Sequence, residues 1–349
     1  MPESRQYCFT HSSGEDVCLF SLQNAKGTEV LITNYGAIIT SFKIKQADGK
    51  INDIVLGFDT VKDYLEKDYL EKYPWLGAAI GRYANRIGGC SFTIDGKKYM
   101  LPVNIPDNHL HGGVTGFDKK VWNIDSFVQF PKPSLTLDYF SADGEEGYPG
   151  NLKVTLLFEL SDDNELSYEY FAECDQPTAI NLTHHSYFNL NNGKGTIKEY
   201  LLKIYADMIL EQDDHLVTTG RIVPVENSAF DFREFYSIGE GLKRIPEYDK
   251  SFVTNGAAKD SAGIQLMAEA KSEQSNILLR VYSTDPVVHF YSGKWIPELN
   301  GKEGNRYGSF AGFCLETHKH PNAINIPHFP NTILRPGEKY YQKNIYKVI

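Results

Sequence analysis

LKVTLLFELSDDNELSYEYFAEC, residues 152–174, places two runs of leucine, valine and aromatic residues on either side of Asp162-Asp163-Asn164. Aromatic and β-branched side chains suit a pleated, half-buried surface, and Asp and Asn suit a tight turn. The stretch therefore predicts a β-hairpin. CSFTIDGKKYML, residues 90–101, predicts another: Phe92 and Ile94 alternate, Asp95-Gly96 turns, and Tyr99 and Leu101 follow. EVLITNYGAIITSFKI reads as two extended pieces interrupted at Asn34-Tyr35-Gly36. YLLKIYADMIL, NILLRVYSTDPVVHFYSG and the terminal KNIYKVI continue the pattern, and helical signals are sparse and short. Many strands at short spacing with turn residues between them predict an all-β protein, a sandwich or barrel. The length of 349 residues suggests about two domains, but no low-complexity linker divides the chain. One domain over residues 1–349 is expected.

Composition narrows the function. The formal net charge is −10, from 35 Lys+Arg against 45 Asp+Glu. That balance argues against nucleic acid, whose phosphates it would repel, and against an anionic membrane surface. No segment has the apolar length of a transmembrane helix, and MPESRQYCFTHSSGEDV lacks an apolar signal core, so a cytoplasmic location is expected. Cys8, Cys18, Cys90, Cys174 and Cys314 are scattered and never in CxxC spacing, which predicts reduced thiols and neither a disulfide framework nor a zinc site. The pentamer DYLEK at 63–67 recurs at once at 68–72; this reads as a small duplication in a surface loop or short helix, with no evident role.

The chemistry-bearing residues fall into four segments. GRYANRIGG carries Arg82, Asn85 and Arg86 in a mostly apolar setting, and a buried arginine needs a polar partner that a ligand oxygen could help supply. DNHLHGG carries His109 and His111, which would share a face on a strand; with Glu316 they make a metal site one reading, though the spacing is not diagnostic. SADGEEGYPGN holds turn chemistry, and its Glu145 and Glu146 read as solvated. FCLETHKHPNAINIPHFPNTILRPGEKY places Glu316 where an apolar strand meets irregular loops, a position suited to a catalytic carboxylate with a raised pKa. NLTHHSYFNL sets His184 beside His185, and on a strand the two must face opposite ways. His11, His215, His320 and His328 read as ordinary structural histidines.

Together these segments resemble the aldose 1-epimerases, also called galactose mutarotases. The matching motifs are GRYANRI, LHGG followed by GFDKKVW, DGEEGYPG, NLTHHSYFNL, LVTTGRIVPVENSAFDFR, YDKSF, HFYSG and FCLETHKHPNAINIPHFPNTILRPGE, in the family's order from about VLGFD to the C-terminus. The resemblance implies a large antiparallel β-sandwich with an open sugar-binding cleft, and interconversion of the α and β anomers of a free hexose without cofactor or metal. It implies His185 as the proton donor to the ring oxygen and Glu316 as the base on the C1 hydroxyl. Asn85, Arg86, His111, Asp249 and His289 are implied at sugar-binding positions. A His near its ordinary pKa of ~6.5 and a Glu raised by burial would suit the two proton transfers. A monosaccharide is the implied partner, and the chain is expected as a monomer or homodimer. Tyr187 or Phe188 would line the cleft or, more in keeping with their type, pack in the core.

Four positions depart from the family pattern: His184 and His318 where Asn and Gln are usual, Lys250 where His is common, and His289 where Gln often stands. Both proton-transfer residues remain, which counts against a non-catalytic sugar-binding protein on the same fold. A hexose-6-phosphate epimerase would need a basic phosphate pocket, for which Lys250 is the candidate.

Overall fold

The computed structural model describes residues 4–46, 48–255, 260 and 262–349. Among these residues the strands form a nine-stranded sheet, two five-stranded sheets and several two-stranded pairings. All the strand pairs are antiparallel. The predicted hairpin is Leu152–Leu160 paired with Glu165–Cys174, in the middle of the large sheet, and Glu165–Cys174 pairs in turn with the C-terminal strand Tyr340–Val348. The shorter hairpin pairs Ser91–Ile94 with Lys97–Met100, and both turn residues, Asp95 and Gly96, take positive φ, the requirement of the twist-matched two-residue turn.

Period-2 alternation explains how the sheets stack. Leu152–Leu160 buries Leu152, Val154, Leu156, Phe158 and Leu160 and leaves the intervening residues at the surface. Those inward side chains belong to one core cluster that also holds Phe20, Ile32 and Phe42 of the N-terminal five-stranded sheet and Phe252, Phe290 and Leu315 of the second. The inner face of the nine-stranded sheet is thus covered by both smaller sheets, the arrangement of a β-sandwich. No helix among the described residues is long and apolar enough to cross a membrane.

The DYLEK doubling forms a 3-10 turn, Val61–Leu65, followed by a short α-helix, Lys67–Glu71. It is not merely a surface feature. The tyrosine of each copy, Tyr64 and Tyr69, is buried, and the two rings meet edge to face with Phe58 between them. Tyr69 accepts the Leu76 N–H at 3.0 Å. The repeat therefore fixes the path of the segment that follows it, residues 72–76.

Candidate functional site

The second five-stranded sheet supplies the floor of the site. Its last three strands are Asp249–Thr254, Val287–Tyr291 and Cys314–His318. Two rows of register partners run across them: Asp249, Tyr291 and Cys314 in one, and Ser251, His289 and Glu316 in the other. Because neighbouring residues on a strand point to opposite faces, all six project to one side. The residues between them, Lys250, Phe290 and Leu315, project to the other, where Phe290 and Leu315 join the core. Lys250 lies over the Phe230 ring at 5.4 Å, on the side away from the floor.

The wall opposite comes from the two-stranded pairing of Thr183–His184 with Ala79–Ile80 and from the loops around it. His184 points inward, against Tyr168 and Phe158, with Nδ1 3.0 Å from Ser186 Oγ and Nε2 3.2 Å from the Ala37 carbonyl. His185 points the other way, into a cavity of about 240 Å³. The adjacent histidines do face apart, and His184 is a packing residue. The cavity brings together Asn85, Arg86, His111, His185, Asp249, His289 and Glu316, all the residues expected there. Tyr187 lines it as well, whereas Phe188 is buried against Phe313 and Tyr346.

Several side chains in the lining were not expected: Tyr73, Trp75, Tyr291 and Trp295. Trp75 packs on His111 with ring centroids 4.8 Å apart, and Trp295 stands 69% exposed at the mouth. The signal for Trp75 lay in YPW, directly after the second DYLEK. Trp295 directly follows the HFYSG motif and its Lys294.

DNHLHGG departs from the strand reading. Its strand ends at Leu110, and His111 has φ +52, so the alternation stops there. His109 turns to Tyr148 Oη (2.8 Å) and the Pro102 carbonyl (2.8 Å), away from the cavity, and the expected face shared by His109 and His111 does not exist. Gly112 and Gly113 take positive φ, and a Cβ on either would collide, with the Gly81 carbonyl or the Glu146 carboxylate respectively. Glu146 accepts the N–H groups of Val114 (2.9 Å) and Thr115 (3.0 Å), holding the loop that carries His111. Glu145 accepts from Tyr139 and Ser141, both at 2.7 Å. The two glutamates are anchors, not solvated acids.

Arg82, not Arg86, is the arginine sunk in the interior. It donates to the carbonyls of Ser141, Ala142, Pro149 and Gly150 at 2.8–3.0 Å and to the hydroxyls of Ser141 and Thr178. It ties the SADGEEGYPGN loop to the back of the site and needs no ligand oxygen. Arg86 lines the cavity, 3.9 Å from Asp249.

His185 Nε2 and Glu316 Oε1 are 3.6 Å apart, and each residue is at most 3% exposed. Glu316 lies on the last strand of its sheet yet is buried, and its Oε2 has no hydrogen-bond partner. Burial, then the charge of Asp249, holds its carboxyl well above the usual range. His185 is not near its ordinary pKa: burial, then the charges of His289 and His184, push it down to about 3. Asp249 goes the other way. Burial would raise it, but the hydrogen bond and charge of His289, with Arg86 and Lys250, bring it down to about 2.

His289 was expected to meet the sugar directly. Both its nitrogens are already engaged, Nε2 with Asp249 Oδ1 at 2.9 Å and Nδ1 with Ser251 Oγ at 2.8 Å. His318, two residues beyond Glu316, gives Nδ1 to the Lys319 carbonyl at 2.7 Å and sits behind His289.

His111, His185 and Glu316 bring ligand-type atoms within 4.8 Å of one another. The set differs from the one expected, since His109 is elsewhere. The Asn85 N–H donates to His111 Nδ1 at 3.3 Å, which leaves the neutral ring's proton on Nε2. That nitrogen is a donor for an oxygen rather than a lone pair for a cation. With Asn85, Arg86 and His111 as donors and Asp249 and Glu316 as acceptors, the cavity is suited to a small polyhydroxylated ligand, with a proton-carrying pair at its floor.

The aldose 1-epimerase family model matches residues 19–347. The chain is similar to the galactose mutarotase of Sus scrofa, 41% identical over 326 residues, covering 92% of this chain and 91% of that protein. It is also similar to the aldose 1-epimerase of Escherichia coli, 32% identical over 344 residues and 96% of each chain. Among solved structures it resembles an aldose epimerase homologue from C. elegans, with TM-score 0.86, 30% identity and coverage of 95% of this chain and 98% of the other. Galactose 1-epimerase from Lactobacillus acidophilus superposes with TM-score 0.84 at 26% identity, over 100% and 99% of the two chains.

Proposed function

The chain belongs to the aldose 1-epimerase family and interconverts the α and β anomers of free hexoses such as galactose; we propose that His185 and Glu316 carry its two proton transfers while Asn85, Arg86, His111 and Asp249 hold the sugar. The observation that carries this assignment is the 3.6 Å approach of His185 Nε2 to Glu316 Oε1 on the floor of the cavity.

In ring opening, the Glu316 carboxylate takes the C1 hydroxyl proton and the His185 imidazolium gives its Nε2 proton to the ring oxygen. The C1–O bond of the ring breaks with its electrons going to that oxygen, and C1 becomes an aldehyde. Rotation about C1–C2 exposes the other face. Closure reverses each transfer, so the pair ends as it began. The form that reacts with the closed sugar is the ionised pair, the minor arrangement of a unit whose single proton otherwise rests on Glu316, and the pair is neutral while the sugar is open. A buried, low-dielectric floor favours the neutral pair, and so lowers the open-chain state relative to the closed one.

His289, with both nitrogens occupied, supports Asp249 and does not contact sugar in this reading. The turning of Lys250 towards Phe230 leaves the phosphate-sugar alternative without its proposed cation. The core that runs from Cys18 to Val348 supports a single domain carrying the reaction. Five free thiols support a reducing, cytoplasmic setting.

Polarimetry of freshly dissolved α-D-galactose tests the assignment. The protein is expected to accelerate the approach to the anomeric equilibrium, and Glu316→Gln and His185→Asn to abolish the acceleration. Wild-type rates in either variant would overturn the roles given to them.

A further inference from the structure

His185 must present Nε2 to the ring oxygen, and something must decide which ring nitrogen keeps a proton after the transfer. Glu316 does not: at 3.6 Å it is beyond hydrogen-bond reach of Nε2. On the other side of the ring, Nδ1 lies 3.4 Å from Cys314 Sγ, an ordinary N–H···S separation. Cys314 is fully buried and sits in the register row directly beside that of Glu316.

We propose that Cys314 is a positioning residue for His185: its sulfur accepts the Nδ1–H, which keeps the proton on Nδ1 throughout turnover and leaves Nε2 as the atom that gives and regains the sugar's proton. The inference rests on the acid role given to His185 above. The ring's own backbone carbonyl also favours a protonated ring, in the same sense. The thiol remains a thiol, because burial and then the Glu316 carboxylate hold its pKa well above the usual range. The Tyr187 hydroxyl is the sulfur's other polar neighbour, and its hydrogen bond to the sulfur opposes that rise without undoing it.

The choice of sulfur has a chemical consequence. Histidine acids and bases are commonly oriented by a carboxylate, which stabilises the imidazolium and makes the ring more basic. A neutral, weakly accepting sulfur orients the ring without doing so. His185 stays a strong acid towards the weakly basic ring oxygen of a hemiacetal.

The test uses the full-length protein labelled with 15N-histidine, with the His185 resonances identified by their loss in His185→Asn. In the wild type the neutral ring is expected in the Nδ1–H form. Cys314→Ser, whose hydroxyl still accepts, should keep that form and keep kcat within ~3-fold. Cys314→Ala should shift the neutral ring towards Nε2–H and lower kcat ~10–100-fold with KM nearly unchanged, a smaller loss than for a carboxylate-oriented histidine. Cys314→Asp should raise the pH at which the ring titrates. A wild-type ring in the Nε2–H form, or an alanine variant with altered tautomer and unaltered kcat, would overturn the proposal. Failure of the underlying acid role is distinguishable, since it would show as an active His185→Asn whatever the tautomer of the wild-type ring.

Discussion

His289 Nε2 meets Asp249 Oδ1 at 2.9 Å, and the same ring is braced from behind by Ser251 Oγ at 2.8 Å. In the proposed site a histidine at this position would act on the sugar through a carboxylate and not by direct contact. Among the described residues only Arg86, at 3.9 Å, offers Asp249 another ion-pair contact. His289→Gln keeps a donor for Asp249 and is expected to raise KM by less than ~5-fold. His289→Leu leaves a buried carboxylate without its hydrogen bond, which at ~1.5–3 kcal/mol corresponds to a KM rise of ~10–100-fold. Polarimetric saturation curves for galactose decide it; a wild-type KM in the leucine variant would show that His289 does not position Asp249.

The proposed proton-transfer pair sets an unusual acid limit. Between the pKa of His185, pushed down to about 3, and that of Glu316, held well above its ordinary value, the two residues carry one proton as a unit. A second proton joins only below the lower limit, and the single proton leaves only above the upper one. kcat/KM should therefore stay flat as pH falls from 7 to 4, and decline on the alkaline side as Glu316 deprotonates. An acid limb centred near 6.5, the ordinary histidine value, would contradict this. Activity after return to neutral pH separates ionisation from unfolding.

Stability should carry a histidine signature of its own. Burial pushes His184 down to about 4, while the unfolded chain protonates it near 6.5. Below 6.5 the unfolded state binds more protons, so the native state loses stability as pH falls, until the folded pKa is reached. For this one ring the loss is of order 3 kcal/mol by pH 4. His184→Asn removes the titration. Its Tm should fall less steeply than that of the wild type between pH 6.5 and 4; parallel Tm curves would mean that His184 is not held neutral by the fold.

Glu146 reaches His111 through the backbone, by holding the N–H groups of Val114 and Thr115. Glu146→Ala frees that loop. KM is expected to rise ~10-fold, with kcat within a factor of ~3, because the proton-transfer pair is untouched. An equal fall in kcat would indicate that the loop serves the transition state and not sugar binding.

Two of the three tryptophans, Trp75 and Trp295, line the cavity, and the third, Trp122, is buried in the core. Galactose binding should therefore perturb the protein's tryptophan emission. Trp75→Phe combined with Trp295→Phe should abolish the change, while leaving Trp122 as the residual emitter. An unresponsive wild type at saturating sugar would place the ligand elsewhere.

The parts of the site that were legible in the sequence are those written in strand alternation and in motif order. His184 and His185 had to face apart; Glu316, expected at a strand end, is instead the central residue of the strand Cys314–His318 and reaches the cavity by alternation. The hairpins at residues 90–101 and 152–174 were legible because turn residues and pleated-surface residues alternate cleanly there. What was hidden depends on backbone sign or on contacts far apart in the chain. A positive φ at His111 separates it from His109, which no spacing rule foresees. Arg82 and Arg86 look alike in GRYANRIGG, and only the carbonyls of residues 141–150 tell them apart. Ser251 lies within YDKSF but nothing there singles it out, and its bond to His289 follows from the register of two strands.

That register bears on how such an enzyme can vary. Slip one of the three floor strands by a single residue, and Lys250, Phe290 or Leu315 would rise into the cavity while its cavity-facing neighbour sank into oil. Insertions and deletions are therefore forbidden in the floor and must accumulate in the rim. The tandem pentamer is such an addition, five residues taken up by a turn and a short helix whose two tyrosines found room side by side. Change in this lineage can reshape the doorway of the enzyme, but not its bed.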